Sequence, residues 1–422
     1  MRALRHWKTR VLLILAVIGP GFITANVDND AGGILTYSQA GARFGLSLLW
    51  SLIPITIALV VIQEMSARMG AVTGKGLSDL IREEYGFRTT FLVMIALVVV
   101  NFSNVITEFA GVATSLELFH VSKYVSVPLS AMFVWALVTK GNYKTVEKVF
   151  LTASFFYVCY IIAGVLAKPE WTEAIRTTII PPPAKSMFNQ KYVYMLVGTI
   201  GTTIAPWMQF YLQASIVEKG VTPRNYKASR LDVIFGCFFT DIVAWFIIVA
   251  CAAAFASEAR DISSGAEAAL ALRPLAGHYA YILFGAGLFN ASLFAASILP
   301  LSTAYTVCEG LGFESGLDKK WDEAKVFYWF YTILVGAGAA TVLFIPDRML
   351  IPVAILSQVL NGVLLPAILI YMLLLINKRN LMGKYVNSRV FNAIAWGSAV
   401  IIILLTVIYT WMQLFTQSGL AA

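Results

Sequence analysis

Charge is scarce in this 422-residue chain: only 13% of its residues are Asp, Glu, Lys or Arg, about half the share in a soluble domain, while 59% are hydrophobic. That balance excludes a soluble globular enzyme. Cysteine is equally sparse, and Cys159, Cys237, Cys251 and Cys308 lie in apolar runs without Cys-x-x-Cys spacing. Neither a disulfide framework nor a zinc site is signalled; they read as small buried hydrophobes. The three histidines, His6, His120 and His278, fall at the ends of apolar segments, so no imidazole is expected at mid-membrane. Acids are outnumbered 23 to 31 by bases, and the distribution of that excess decides its meaning.

What the chain has in abundance is long apolar runs. A bilayer core about 30 Å thick needs roughly 20 apolar helical residues, because no water is there to satisfy free backbone groups. Eleven such stretches are expected, near 12–41, 48–67, 91–118, 124–139, 146–166, 192–217, 231–256, 279–307, 326–345, 349–376 and 391–415. The first is not a cleavable signal peptide, since it runs on into Asp28 and Asp30 without a small-residue cleavage pattern. With the N-terminus cytoplasmic, 22 of the 31 bases fall on the inside and nine outside. The positive-inside rule therefore predicts a multi-pass protein of the inner (plasma) membrane, N-terminus in and C-terminus out. Topology explains the basic excess, so nucleic acid is set aside as a partner.

The longest outer loop, 167–190, carries Pro181-Pro182-Pro183 and reads as a linker. It separates five spans in residues 1–166 from five in 191–377, with an eleventh in 378–422. An odd number of spans per half inserts the halves in opposite senses, as in the LeuT-like five-plus-five inverted repeat of many secondary transporters. The expected fold is therefore all-α, integral to the membrane, with helices 1 and 6 discontinuous.

Both expected breaks are visible. Span one reads Gly19-Pro20-Gly21 and then Asp28-Asn29-Asp30-Ala31-Gly32-Gly33; span six reads Gly198-Thr199-Ile200-Gly201-Thr202-Thr203-Ile204-Ala205-Pro206-Trp207. Pro206 removes a helical donor. A carboxylate at the bilayer centre costs about 2.5–3.5 kcal/mol, which marks Asp30, and with it Asp28, as functional candidates. Glu108 in span three and Asp241 in span seven are further intramembrane acids.

These residues resemble the NRAMP family of divalent-metal transporters. Gly19-Pro20-Gly21 through Asp30 to Gln39-Ala40-Gly41-Ala42 follows the family's first-span pattern without a gap. Further agreement lies in Gln63 to Gly74, Thr107-Glu108-Phe109, Ser357-Gln358, Leu365-Pro366 and Asn380 to Asn387. The departures are specific: Asp30-Ala31-Gly32-Gly33 keeps the family's Asp and loses its Asn, Ala205-Pro206-Trp207 stands where the family has Met-Pro-His, and Val105 replaces a span-three acid. This combination resembles the prokaryotic NRAMP-related magnesium transporters.

The resemblance implies metal ligands at Asp30, Gln358 and the backbone carbonyls near Val27 and Thr202, with Gly33 and Ala205 lining a wider cavity and Asp28 a further candidate. Such a set is all oxygen, suited to magnesium or manganese with retained water. Glu108 and Trp207 stand where the family's proton or gating path runs. Met208, one turn past Ala205, is read as packing. The expected function is import of Mg²⁺, and also Mn²⁺, by alternating access as an uncoupled uniporter. The alternatives are a proton-coupled Mn²⁺/Fe²⁺ symporter and a sodium-coupled amino-acid symporter. No resident cofactor and no obligatory protein partner are expected beside the lipid bilayer and the transported ion. No catalytic dyad or His-Glu-x-x-His motif points to an enzyme.

Overall fold

The computed structural model describes residues 19–183, 187, 189–255, 261–262, 267 and 273–417, and among these every regular element is a helix. In chain order they are α1 (Pro20–Asn26), α2 (Ala31–Phe44), α3 (Leu52–Thr73), α4 (Leu77–Tyr85), α5 (Phe87–Glu117), α6 (Lys123–Lys140), α7 (Tyr143–Phe155) and α8 (Val158–Leu166). Then follow α9 (Trp171–Ile179), α10 (Gln190–Thr203), α11 (Pro206–Glu218), α12 (Tyr226–Ala254), α13 (Arg273–Leu311), α14 (Lys325–Phe344), α15 (Leu350–Ile376), α16 (Arg379–Met382) and α17 (Arg389–Gln417). The first part of the expected span 12–41 lies outside the described residues.

Among the described residues eight segments are long and apolar enough to cross a bilayer, one of them α7 and α8 taken together. The other three expected spans do not meet that length and apolarity as single helices. Spans one and six are each split into two short helices, and α6 is only 18 residues long with a lysine at each end. Large apolar side chains such as Leu92, Val99, Met132, Ile333 and Leu404 are more than half exposed on these helices. Such a surface is tolerated where lipid, not water, covers it.

Inside this apolar shell α5 packs along α13, α10 along α15, and both halves of span one along α12. Glycine sets the closest approach. A Cβ on Gly21 would lie 2.7 Å from the Val233 backbone nitrogen, and one on Gly236 would lie 2.7 Å from the Phe22 Cα, so α1 and α12 touch backbone to backbone.

One expectation needs correction. Residues 167–190 are not all loop: α9 carries Glu173 in its first turn and Arg176 in its last, complementing the helix dipole, and Trp171 stacks on Trp245. The expected fifth span is present as Tyr143–Leu166, where α7 and α8 are joined at Phe156 and Tyr157 by tighter i to i+3 hydrogen bonds.

Candidate metal-transport site

At the first break, α1 stops at Asn26, a single 3₁₀ turn covers Val27–Asn29, and Asp30 is extended. Asp30 is the N-cap of α2: its Oδ1 accepts the Gly33 N–H at 2.6 Å. The next amide, Ala31 N–H, would reach the Val27 carbonyl in an unbroken helix. It instead donates to Glu108 Oε2 at 3.1 Å, which releases Val27 from its helical donor. At the second break the same result comes from covalent chemistry. The residue four places after Thr202 is Pro206, which has no N–H, so the Thr202 carbonyl has no i+4 partner. Among the described residues the buried Thr202 hydroxyl also has no hydrogen-bond partner.

Asp30, Glu108 and Gln358 converge from α2, α5 and α15, each at most 3% exposed. The Asp30 and Glu108 side chains are within hydrogen-bonding reach of each other. A Cβ built on Gly32 would lie 1.9 Å from Gln358 Nε2 and 3.2 Å from Asp30 Oδ1, so amide and carboxylate face each other across that glycine. The amide presents its nitrogen there, because Gln358 Oε1 accepts from Asn361 Nδ2 at 2.9 Å. Ligation through the oxygen requires the amide to turn over.

The other candidates are placed differently from expectation. Gly33 does not line open space: a Cβ there would meet the Asp28 carbonyl oxygen at 2.2 Å and Thr202 Oγ1 at 3.0 Å. Its glycine admits backbone rather than water. The Asp28 side chain is turned toward α12, contacting Tyr37 Oη at 3.3 Å and Thr240 Oγ1 at 3.4 Å, and is not part of the Gln358 cluster. Ala205 is the buried N-cap of α11, its carbonyl accepting from Met208 N–H. Trp207 is 1% exposed and takes Ser302 Oγ on its carbonyl at 3.1 Å, while its ring packs against Tyr211. Met208 is fully buried.

The structure adds polar residues that the sequence reading passed over. Thr107 Oγ1 meets Ser357 Oγ at 3.1 Å, and Asn104 and Asn361 exchange amide hydrogen bonds at 3.0 and 3.2 Å. Asn101 donates to Thr303 at 2.8 Å. Asn101, Asn104 and Glu108 follow the i, i+3, i+7 spacing of one helix face, and that polar stripe in an apolar helix was the available signal. Asp232 on α12 accepts the amides of Gly19 and Gly21 at 2.8 Å and of Phe22 at 3.2 Å, closing the N-terminal end of α1. Beside it Lys219 pairs with Glu147 at 2.6 Å.

A family model described as Natural resistance-associated macrophage protein-like (Nramp) matches residues 21–412. The chain belongs to the Nramp family. It is accordingly a multi-pass membrane transporter of divalent metal ions. Among solved structures, the fold matches the Eremococcus coleocola manganese transporter in complex with an aromatic bis-isothiourea substituted compound. There the identity is 21%, the TM-score 0.74, and the match covers 96% of this chain and 87% of that one. A variant of the same transporter matches at 20% identity and TM-score 0.75 over 99% of this chain and 89% of that one. Mhp1, a nucleobase-cation-symport-1 family transporter in a closed conformation with bromovinylhydantoin bound, shares 12% identity and a TM-score of 0.57 over 93% and 89%. These likenesses establish the LeuT-like fold of this Nramp protein.

Proposed function

We propose that this Nramp protein imports Mg²⁺, and also Mn²⁺, across the plasma membrane by alternating access, without coupling to protons. The N-terminus is cytoplasmic in this reading, which puts the Asp232 closure on the inner side. The observation that carries it is the oxygen available at the two breaks, the Asp30 carboxylate and the Val27 and Thr202 carbonyls, with the Gln358 amide from α15 as a further donor once it turns over. Ala205 supplies no thioether and Trp207 no imidazole. Oxygen donors and few carboxylates suit magnesium, which keeps several waters, while softer ions gain nothing from such a site. In this reading the Val27 and Thr202 carbonyls, freed of their i+4 donors, supply dipoles, and Asp30 supplies the full charge that draws a dication to the midplane.

The driving force follows from charge. A membrane potential contributes about 2.3 kcal/mol per charge per 100 mV, so a negative interior supplies about 4.6 kcal/mol for each Mg²⁺ at that voltage. Liposomes holding only the purified protein provide the test, with Mg²⁺, Mn²⁺ and Ca²⁺ compared and the lumen pH recorded. An inside-negative potassium diffusion potential should speed Mg²⁺ entry, an imposed pH gradient should not drive it, and the lumen should not acidify.

One observation favours the proton-coupled Mn²⁺/Fe²⁺ reading. Glu108 lies close to Asp30, its Oε2 accepting the adjoining Ala31 N–H at 3.1 Å, and two neighbouring carboxyl groups favour holding a proton or a cation between them. Acidification that scales with metal entry and disappears in Glu108→Gln would select that reading over uniport.

A further inference from the structure

The 3₁₀ turn at the first break does more than expose carbonyls: it sends Asp28 and Asp30, two residues apart, to opposite sides. Asp30 faces α5 and α15, while Asp28 faces α12, where Thr240 contacts it and Asp241 stands near enough to repel it. Asp28 is 1% exposed and Asp241 5%. Among the described residues neither pairs with a Lys or Arg, and the Asp30 charge also reaches Asp28.

The Thr240 hydroxyl donates to Asp28 Oδ2 at a long 3.4 Å, and counting protons shows how few other donors this pocket offers. Thr203 spends its hydroxyl proton on the Thr199 carbonyl at 2.7 Å, so its 2.7 Å contact with Tyr37 takes the single phenolic proton, leaving Asp28 the long 3.3 Å remainder. Thr56, beside Asp241, spends its proton on the Leu52 carbonyl at 2.7 Å. Thr56 is thus at most a shared donor to Asp241, and among the described residues neither Asp241 oxygen has a full hydrogen bond. The Asn29 amide is pinned by its nitrogen to the Thr240 carbonyl and hydroxyl, at 3.0 and 2.6 Å, and its buried Oδ1 has no partner among the described residues. Buried oxygen acceptors with no donors are costly in an apolar interior and are what a hard cation uses as ligands.

We propose that Asp28 and Asp241, with the Asn29 amide oxygen, form a second station for a hydrated divalent cation on the α12 side of the first break, separate from the Asp30 site. The inference rests on the reading that Asp30 belongs to the principal metal site. Two carboxylates favour a dication over Na⁺, and one or two carboxylates with water are the usual protein share of a magnesium shell.

The test measures Mn²⁺ binding to the full chain in lipid nanodiscs, by electron paramagnetic resonance of the free ion, with Mg²⁺ and Na⁺ as competitors. Asp30→Asn should retain one Mn²⁺ per chain that Mg²⁺ displaces. Adding Asp241→Asn, or independently Asp28→Asn, should weaken that residual binding at least about ten-fold while thermal melting without metal shows an intact fold. The second station is overturned if Asp30→Asn alone abolishes all binding, if the residual ion ignores both further substitutions, or if Na⁺ displaces it and Mg²⁺ does not. An Asp30→Asn protein that binds and transports like the parent would instead remove the principal-site assignment, whatever Asp241→Asn does.

Discussion

Replacing Asp232 by Asn tests whether the first half-helix is held shut by a single carboxylate. Asp232 Oδ1 accepts from Gly19 and Phe22 and Oδ2 from Gly21, all from a group 2% exposed. Asparagine keeps one acceptor oxygen and turns an NH₂ group against at least one of these amides, while the remaining bonds lose their charge. Hydrogen bonds to charged groups contribute about 1.5–3 kcal/mol each, so the loss comes to about 2–4 kcal/mol. When α1 moves away, water satisfies the same amides, so nearly all of that loss falls on the closed state. At 1.4 kcal/mol per decade, the open population should rise roughly 30- to 1,000-fold. The Gly21 and Gly236 contacts between α1 and α12 remain, which keeps the fold together. Hydrogen exchange followed by mass spectrometry reads the amides themselves: a peptide covering residues 19–26 should lose protection by that factor while peptides from the middle of α12 do not change. Unaltered exchange in that peptide would refute the latch.

Asp30→Asn should abolish metal uptake by a folded protein, whereas Gln358→Ala should weaken it less, because water can replace a neutral amide ligand; liposome uptake with equal losses in both would contradict that order. Ala205→Met brings a thioether to the second break and should raise the preference for Mn²⁺ or Cd²⁺ over Mg²⁺, read as the ratio of uptake rates. Gly33→Asn, the other substitution that would rebuild the family's ligand pattern, should destabilise the protein by about 1–3 kcal/mol, since its Cβ would meet the Asp28 carbonyl at 2.2 Å; a lowered melting temperature checks this. An unchanged melting temperature would mean that the break rearranges freely around residue 33.

What could be read from the sequence was chemistry acting over a few residues. The bilayer demands long apolar helices, so the spans show in composition; Pro206 orphans the Thr202 carbonyl wherever the rest of the chain lies; a buried acid is conspicuous at Asp28, Asp30, Glu108 and Asp241. What stayed hidden needs residues distant in the chain. Asp232 holds an amide 213 positions away, and Asn104 pairs with Asn361 across 257. Glycine misled for a related reason: an absent side chain at Gly33 suggests room, and only the folded break shows that the Asp28 backbone occupies it. The helix α9 was masked by the proline run after it, which marks where a helix ends without excluding one before. The two acids of span one show where local reading stops. A spacing of two puts Asp28 and Asp30 on one face of a strand and on nearly opposite faces of an α-helix, so spacing alone does not say whether they act together; here one 3₁₀ turn and one extended residue give them different neighbours. The break therefore has two chemical faces, one built around Asp30 with Glu108 and Gln358 and one around Asp28 with Asp241. A substitution at either acid should be interpreted by the face it changes.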